Sequence, residues 1–176
     1  HARAIFEPDA EMAAAAARMV PDAEMVASID DLLAVRDLDC LLIASPNHCH
    51  VAQLETIAAS VTLPILVEKP LFTDPADLPR IEAFRDSYAA PVWVAMEYRY
   101  MPPMQRFLDL VETTTGGIRM LSIVEHRYPF LEKVGNWNRF NSGSGGTLVE
   151  KCCHFFDLMR LILSLIHISE PTRLAT

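Results

Sequence analysis

Residues 40–54 read CLLIASPNHCHVAQL. An apolar run (Cys40 to Ala44) is cut by a Pro46-Asn47 turn, and a helix-like stretch begins at His50. The run is continuously apolar rather than alternating, as in strands buried on both faces of a parallel sheet. Three more runs have the same character: Ala4-Ile5-Phe6, Pro64-Ile65-Leu66-Val67 and Val92 to Met96. Between the runs lie segments with helix signals. Asp9 to Met19 is Ala-rich, Ser28 to Val35 opens on a capping serine, and His50 to Ser60 follows the Pro-Asn turn. Asp74 to Tyr88 opens with Asp74-Pro75, an N-cap followed by proline at the first helical position. Strands alternating with helices predict βαβ units and a doubly wound α/β domain. Ligands of such sheets sit beyond the carboxyl ends of the strands. That rule lines Glu7, Ser45-Pro46-Asn47-His48 and Glu68-Lys69-Pro70 along one crevice.

After residue 97 the pattern changes. Pro102-Pro103 opens a helix over Met104 to Glu112, closed by Gly116-Gly117, and Ile118 to Tyr128 reads as a long, partly alternating strand. A polar, aromatic loop, Asn136 to Gly146, leads into GGTLVEKCCHFFDLM (Gly145–Met159), whose apolar residues keep helical spacing through Ile162. These elements begin a second, α+β domain. The expected division is 1–97, 98–162 and a tail, 163–176. The tail string LSLIHISEPTR (Leu163–Arg173) resembles a translated sequencing adaptor, so it is expected to be non-native and the chain to be a fragment.

Composition narrows the function classes. A net charge of −8 with 22% charged residues argues against nucleic-acid and anionic-membrane surfaces, which need clustered Lys and Arg. No apolar run approaches a bilayer span, and the first residues lack a signal-peptide layout. Cys40, Cys49, Cys152 and Cys153 contain no C-x-x-C pair, which fits reduced thiols in a cytoplasmic protein.

Several residues carry chemistry. Glu7 ends its strand where a dinucleotide-binding fold keeps an acid for the ribose hydroxyls; a helix-start acid in EPDAE explains it equally well. A carboxylate there favours NAD over NADP. His48 and His50 are two apart, too close for one helix face, and read as turn or helix-start residues rather than a metal pair. In VEKP (Val67–Pro70) a Glu-Lys pair follows a buried strand, making Lys69 a candidate ligand for a hydroxyl or carbonyl oxygen and, equally, half of a surface ion pair. Glu150, His154 and Asp157 stand at i, i+4 and i+7, a pattern open to a metal site, a proton-transfer site or a polar helix face. Glu150 and His154 could both reach a cation, but a third ligand would have to come from elsewhere, and no metal is expected.

Taken in order, CLLIASPNHCHVAQL, LPILVEKPLFTD, YRYMPPMQRFLDLV and GGTLVEKCCHFFDLM resemble the Gfo/Idh/MocA oxidoreductases, over about Ala4 to Ile162. The resemblance implies a Rossmann domain, here lacking its first strand and glycine-rich loop, then the start of a substrate domain with an open, mostly antiparallel sheet. It implies NAD or NADP as cofactor, a sugar, cyclitol or related polyol as substrate, and a homo-oligomeric parent protein. By position, Lys69 matches the lysine that orients the substrate hydroxyl, and His154 the general acid/base. Glu150 stands where many members carry aspartate, a departure that moves the carboxylate by one methylene. Asn47 and His48 match the segment lining the nicotinamide ribose, with Ser45, Pro46 and Glu68 beside it. Pro70 matches a proline often preceded by a cis bond, Asp157 an acid one turn after the histidine, and Arg99 an arginine near the site. Trp137 and its loop suit a polyhydroxyl ligand. Two alternatives stand beside the enzyme: a non-catalytic nucleotide-sensing regulator of the same fold, and an inactive fragment. Presence of both Lys69 and His154 favours the enzyme.

Overall fold

The structure is a computed structural model and describes residues 1–116, 118, 120–126 and 133–167. Strand β1 (Ala4–Phe6) leads into helix α1 (Ala10–Met19), which Asp9 caps by accepting from the N–H groups of Glu11 and Met12. Strand β2 (Glu24–Val26) and helix α2 (Ile29–Ala34) follow, the latter capped by Ser28 through the Asp31 N–H. Strand β3 (Leu41–Ile43) feeds a 3₁₀ turn (Asn47–Cys49) and helix α3 (His50–Ser60). Strand β4 (Ile65–Val67) is followed by the turn Pro75–Asp77 and helix α4 (Leu78–Ser87), and strand β5 (Val92–Val94) completes this half.

All strand pairs are parallel. β1 pairs with β2 as one two-stranded ladder, and β3-β4-β5 form a second, with Leu41, Ile65 and Val92 in register. Leu41, Ile43, Ile65 and Val67 face a core closed by Val51, Leu54 and Ile57 of α3 and by Ile81 and Phe84 of α4. Each such side chain, fully buried, contributes about 1.5–3 kcal/mol. The continuous apolar runs predicted burial on both faces. Here the second face is open: Leu42, Leu66 and Trp93 are exposed, because α3 and α4 cover only the side of the alternate residues. Strand β2 had no counterpart in the sequence reading. AEMVAS is short, and Glu24 is exposed, so it carries little of the apolar signal that marks the other strands.

The second half begins with a 3₁₀ turn, Glu97–Tyr100, and helix α5 (Pro102–Thr115), which ends at Gly116 in the left-handed conformation, φ 68°. The strand expected over Ile118 to Tyr128 is not formed among the described residues: 118 and 120–126 have no regular structure, and Arg119, Arg127 and Tyr128 lie outside the described residues. A partly alternating segment becomes a strand only when a neighbour accepts its ladder of hydrogen bonds, and no described residue does so. A 3₁₀ segment (Val134–Arg139) and helices α6 (Asn141–Ser144), α7 (Thr147–Glu150) and α8 (Cys153–His167) follow. The proposed tail is described only as far as His167, where α8 ends; residues 168–176 are outside the described region. No helix among the described residues is long and apolar enough to cross a membrane.

Candidate active site

The turns after β3, β4 and β5 deliver their side chains to one edge of the ladder, where residues 134–157 pack. Asn47, buried in the turn after β3, donates from Nδ2 to Ser144 O at 3.5 Å. Its exposed neighbour His48 meets the half-buried Trp137 ring edge-on, with centroids 6.4 Å apart. Ser45 Oγ donates to Gln53 Oε1 at 2.6 Å, within the β3–α3 unit. In the turn after β4, Glu68 Oε2 accepts from the Lys69 N–H at 3.3 Å, and the Lys69–Pro70 bond is cis. Lys69 Nζ reaches across to the second half and donates to the backbone carbonyl of Glu150 at 3.0 Å.

His50 ties the two turns together from below. Fully buried, it sets Nδ1 2.8 Å from Pro70 O and Nε2 3.0 Å from Ser45 O. It is therefore structural, at the start of α3, as its place after the Pro46-Asn47 turn suggested.

The GGTLVEKCCHFFDLM segment differs from its expected form. It was read as one helix carrying Glu150 and His154 on one face; it is two, α7 and α8, separated at Lys151-Cys152. The spacing i, i+4 places two side chains together only on an unbroken helix. Gly145 (φ 76°) and Gly146 (φ 80°) start the segment, and a Cβ on Gly145 would lie 2.9 Å from Thr73 O in the turn after β4. Glu150 is buried, and its contact with Lys69 is through its main chain.

His154 is buried on α8 with Nδ1 lacking a hydrogen-bond partner, while Nε2 lies 3.4 Å from Glu97 Oε1. The Tyr98 ring stacks on the imidazole, with centroids 4.2 Å apart and planes 5° from parallel. Burial pushes the His154 pKa below its ordinary value; Glu97 opposes this, and the cations Lys69 and Lys151 add to it. Beside the histidine, the buried Lys151 donates to Tyr98 Oη and pairs with Glu125 at 3.1 Å, and Tyr98 Oη donates to Glu125 at 2.9 Å. Burial alone would lower the Lys151 pKa, but the bonds to Tyr98 and Glu125 outweigh it and hold the ammonium above its usual value. Arg99 is engaged with Asp157 in a two-pronged ion pair, which joins the turn after β5 to α8.

Of the residues singled out from the sequence, Lys69, Glu150, Asn47, His48 and Trp137 share contacts at this seam, and His154 feels the Lys69 charge. Glu7 directly follows β1, in the other ladder, and its Oε1 accepts from the Asp9 N–H at 2.9 Å. Glu97, Lys151 and Glu125 escape the sequence reading, whereas Tyr98 is expected from it as a residue that sets specificity. A signal existed for the first: MEYRY puts an acid directly after the last parallel strand, at the carboxyl edge where ligands sit. Among the described residues no group of three or more His, Cys, Asp or Glu could hold a metal ion.

A βαβ chain with charged groups converging beyond its strand ends defines a ligand-binding α/β domain of dinucleotide-enzyme type. Residues 1–96 match the oxidoreductase family with an NAD-binding Rossmann fold, and residues 112–171 match the C-terminal alpha/beta domain of the same family. The chain belongs to this Gfo/Idh/MocA family. An inositol 2-dehydrogenase from Corynebacterium glutamicum (strain R) is 36% identical over 160 residues, which cover 90% of this chain and 45% of that protein. The chain thus spans about half the length of the curated relatives it matches. Among solved structures, the WlbA dehydrogenase from Bordetella pertussis in complex with NADH and UDP-GlcNAcA superposes with a TM-score of 0.75 at 22% identity, covering 92% of this chain and 48% of that one. A levoglucosan dehydrogenase in complex with NADH and levoglucosan gives 0.73 at 24% identity, covering 91% and 44%. These two likenesses speak for the fold.

The donor set suits a nicotinamide cofactor: a carboxylate follows β1, and an amide, a hydroxyl and an ammonium gather at the carboxyl ends of β3 and β4. The Nδ1 of His154 is buried and has no hydrogen-bond partner.

Proposed function

We propose that the protein carrying this chain is an NAD-dependent dehydrogenase that oxidises a secondary hydroxyl of a sugar, cyclitol or related polyol, or reduces the corresponding ketone. Nicotinamide, when bound, supplies the hydride acceptor. Asn47, His48 and the Ser45-Pro46 turn would hold its ribose, Glu68-Lys69-Pro70 would lie toward the ring, and Glu7 would serve the adenosine ribose. Lys69 points its ammonium at the substrate oxygen and stabilises alkoxide character as the proton leaves. His154 takes that proton; a histidine base suits neutral pH and contributes roughly 10²–10⁴-fold. Trp137 and His48 offer an aromatic wall for the apolar face of a polyol ring. Arg99, expected at the substrate, stands at the seam, where its ion pair with Asp157 joins the turn after β5 to α8. Glu150 contributes its carbonyl to Lys69.

The observation that carries this reading is the meeting of Lys69 with the α7–α8 junction that bears His154, two distant parts of the chain joined by a direct hydrogen bond. The name of the curated relative, inositol 2-dehydrogenase, supports a cyclitol or related polyol as the substrate class. The test is turnover of the full-length protein with NAD and with NADP over a panel of cyclitols, sugars and sugar acids. Lys69→Ala and His154→Ala should each lower kcat/KM by at least 10²-fold while NADH binding persists. Turnover retained in both variants rejects the assignment.

A further inference from the structure

The carboxylate facing the His154 imidazole comes from Glu97. Glu97 sits in the first turn after β5, and its Oε1 is 3.4 Å from Nε2, whereas Nδ1 of the same ring is buried and has no hydrogen-bond partner. An ionised carboxylate only accepts, and a neutral imidazole has one N–H. The neutral ring therefore satisfies Glu97 only with its proton on Nε2, leaving the lone pair on Nδ1. Tyr98, the next residue along, stacks flat on the ring and fixes its plane, and Tyr98 is itself held by Lys151 and Glu125.

Building on the function proposed above, we infer that Glu97 is a positioning residue: it fixes the Nε2–H tautomer of His154, directs proton uptake to Nδ1 and stabilises the imidazolium that results. In the oxidation direction a bound nicotinamide would take the hydride of the substrate carbon, and His154 Nδ1 would take the hydroxyl proton as the O–H bond breaks and the carbonyl forms. Glu97 keeps its charge throughout. The other groups around the imidazole are Lys69 from the turn after β4, Lys151 from the α7–α8 junction and Asp157 from α8. The two lysines oppose protonation and Asp157 favours it, so removal of Glu97 tips the balance toward the neutral ring. The Glu97 side chain is 53% exposed, so a water-like dielectric applies. At this distance the missing charge then shifts the imidazole titration down by about 0.5–1 pH unit.

Two measurements test this. In the chain itself, labelled on histidine nitrogen, long-range proton–nitrogen spectra read the tautomer of His154, assigned with His154→Gln. The wild type should show Nε2–H, and Glu97→Gln should show mixed tautomers and a titration midpoint lower by that amount. In the full-length protein, the acidic limb of kcat/KM for oxidation should move to lower pH in Glu97→Gln by the same shift, with kcat down about 3–30-fold, and Glu97→Asp should restore part of both. An Nδ1–H tautomer in the wild type, or an unchanged tautomer and limb in Glu97→Gln, overturns the role of Glu97. If that happens while His154→Ala is inactive, the dehydrogenase reading still stands. If His154→Ala keeps its turnover, that reading falls and the role of Glu97 in proton uptake falls with it.

Discussion

Replacing His50 with leucine isolates the bridge that holds the two active-site turns at a fixed spacing. The imidazole is fully buried between Pro70 O (2.8 Å from Nδ1) and Ser45 O (3.0 Å from Nε2), and a neutral ring's single N–H donates to only one of them. Leucine nearly conserves volume, so the packing change is small and the loss falls on hydrogen bonding. With that N–H on Nδ1, the nitrogen with the shorter contact, the carbonyl of the buried Pro70 is left without a donor, at a cost of about 1–3 kcal/mol. His50→Leu should therefore lose about 1–3 kcal/mol, and His50→Ala, which also opens a cavity, about 3–5 kcal/mol. For a chain of this size those losses lower Tm by about 2–4 °C per kcal/mol. Urea unfolding followed by circular dichroism, with m held constant between variants, gives the numbers directly. If His50→Leu lies within about 0.5 kcal/mol of wild type, the bridge carries no energy and the reasoning fails.

Three further outcomes follow from the same structure. Burial depresses the His154 pKa, so the unfolded chain binds this proton more readily than the folded one. The stability due to neutral His154 is complete above the unfolded value of about 6.5 and is lost as pH falls through the folded value; His154→Gln should flatten this part of the Tm–pH profile relative to wild type. Burial raises the Cys153 and Cys49 thiols, whereas Cys40 is exposed, so alkylation followed by mass spectrometry should label Cys40 first and Cys153 last. Equal labelling of Cys153 and Cys40 would count against the packing of α8. Gly145→Ala places a Cβ 2.7 Å from Val149 Cγ1 and 2.9 Å from Thr73 O at φ 76°, so it should cost about 2–4 kcal/mol, and limited proteolysis should speed up at residues 134–150.

Most of the first half was legible because its signals are local. α3 (His50–Ser60) lies where the Pro-Asn turn and apolar spacing put it, and Asp74-Pro75 marked the α4 entry. β3, β4 and β5 each lie within an apolar run. The failures are non-local. Strand β2 exists because β1 accepts its ladder, with Ala4 opposite Glu24, and its sequence alone does not announce it. Residues 118 and 120–126 have strand-like spacing and no ladder among the described residues. At the site, Lys69 and His154 stood out from motif position, but spacing could not reveal that a helix breaks at Lys151-Cys152. Nor could it show that Glu97, from another turn, faces the imidazole.

That break puts the contact between residue 150 and Lys69 on the main chain. The last carbonyls of a helix have no intrahelical partner and favour a cation. α7 ends at Glu150, whose carbonyl receives Lys69 Nζ. The lysine is thus fixed by main chain, and the length of the residue-150 side chain matters less than the position of its backbone. The turn at Lys151 then sends that side chain to Tyr98 and Glu125, and restarts the helix with His154 under the Tyr98 ring. The carboxylate beside the imidazole comes from the β5 turn, where Glu97 and Tyr98 flank the ring from adjacent positions. Glu150→Gln should accordingly disturb the Lys69 contact far less than a substitution that alters the backbone at Gly145, because the first leaves the accepting carbonyl in place and the second moves the helix that presents it.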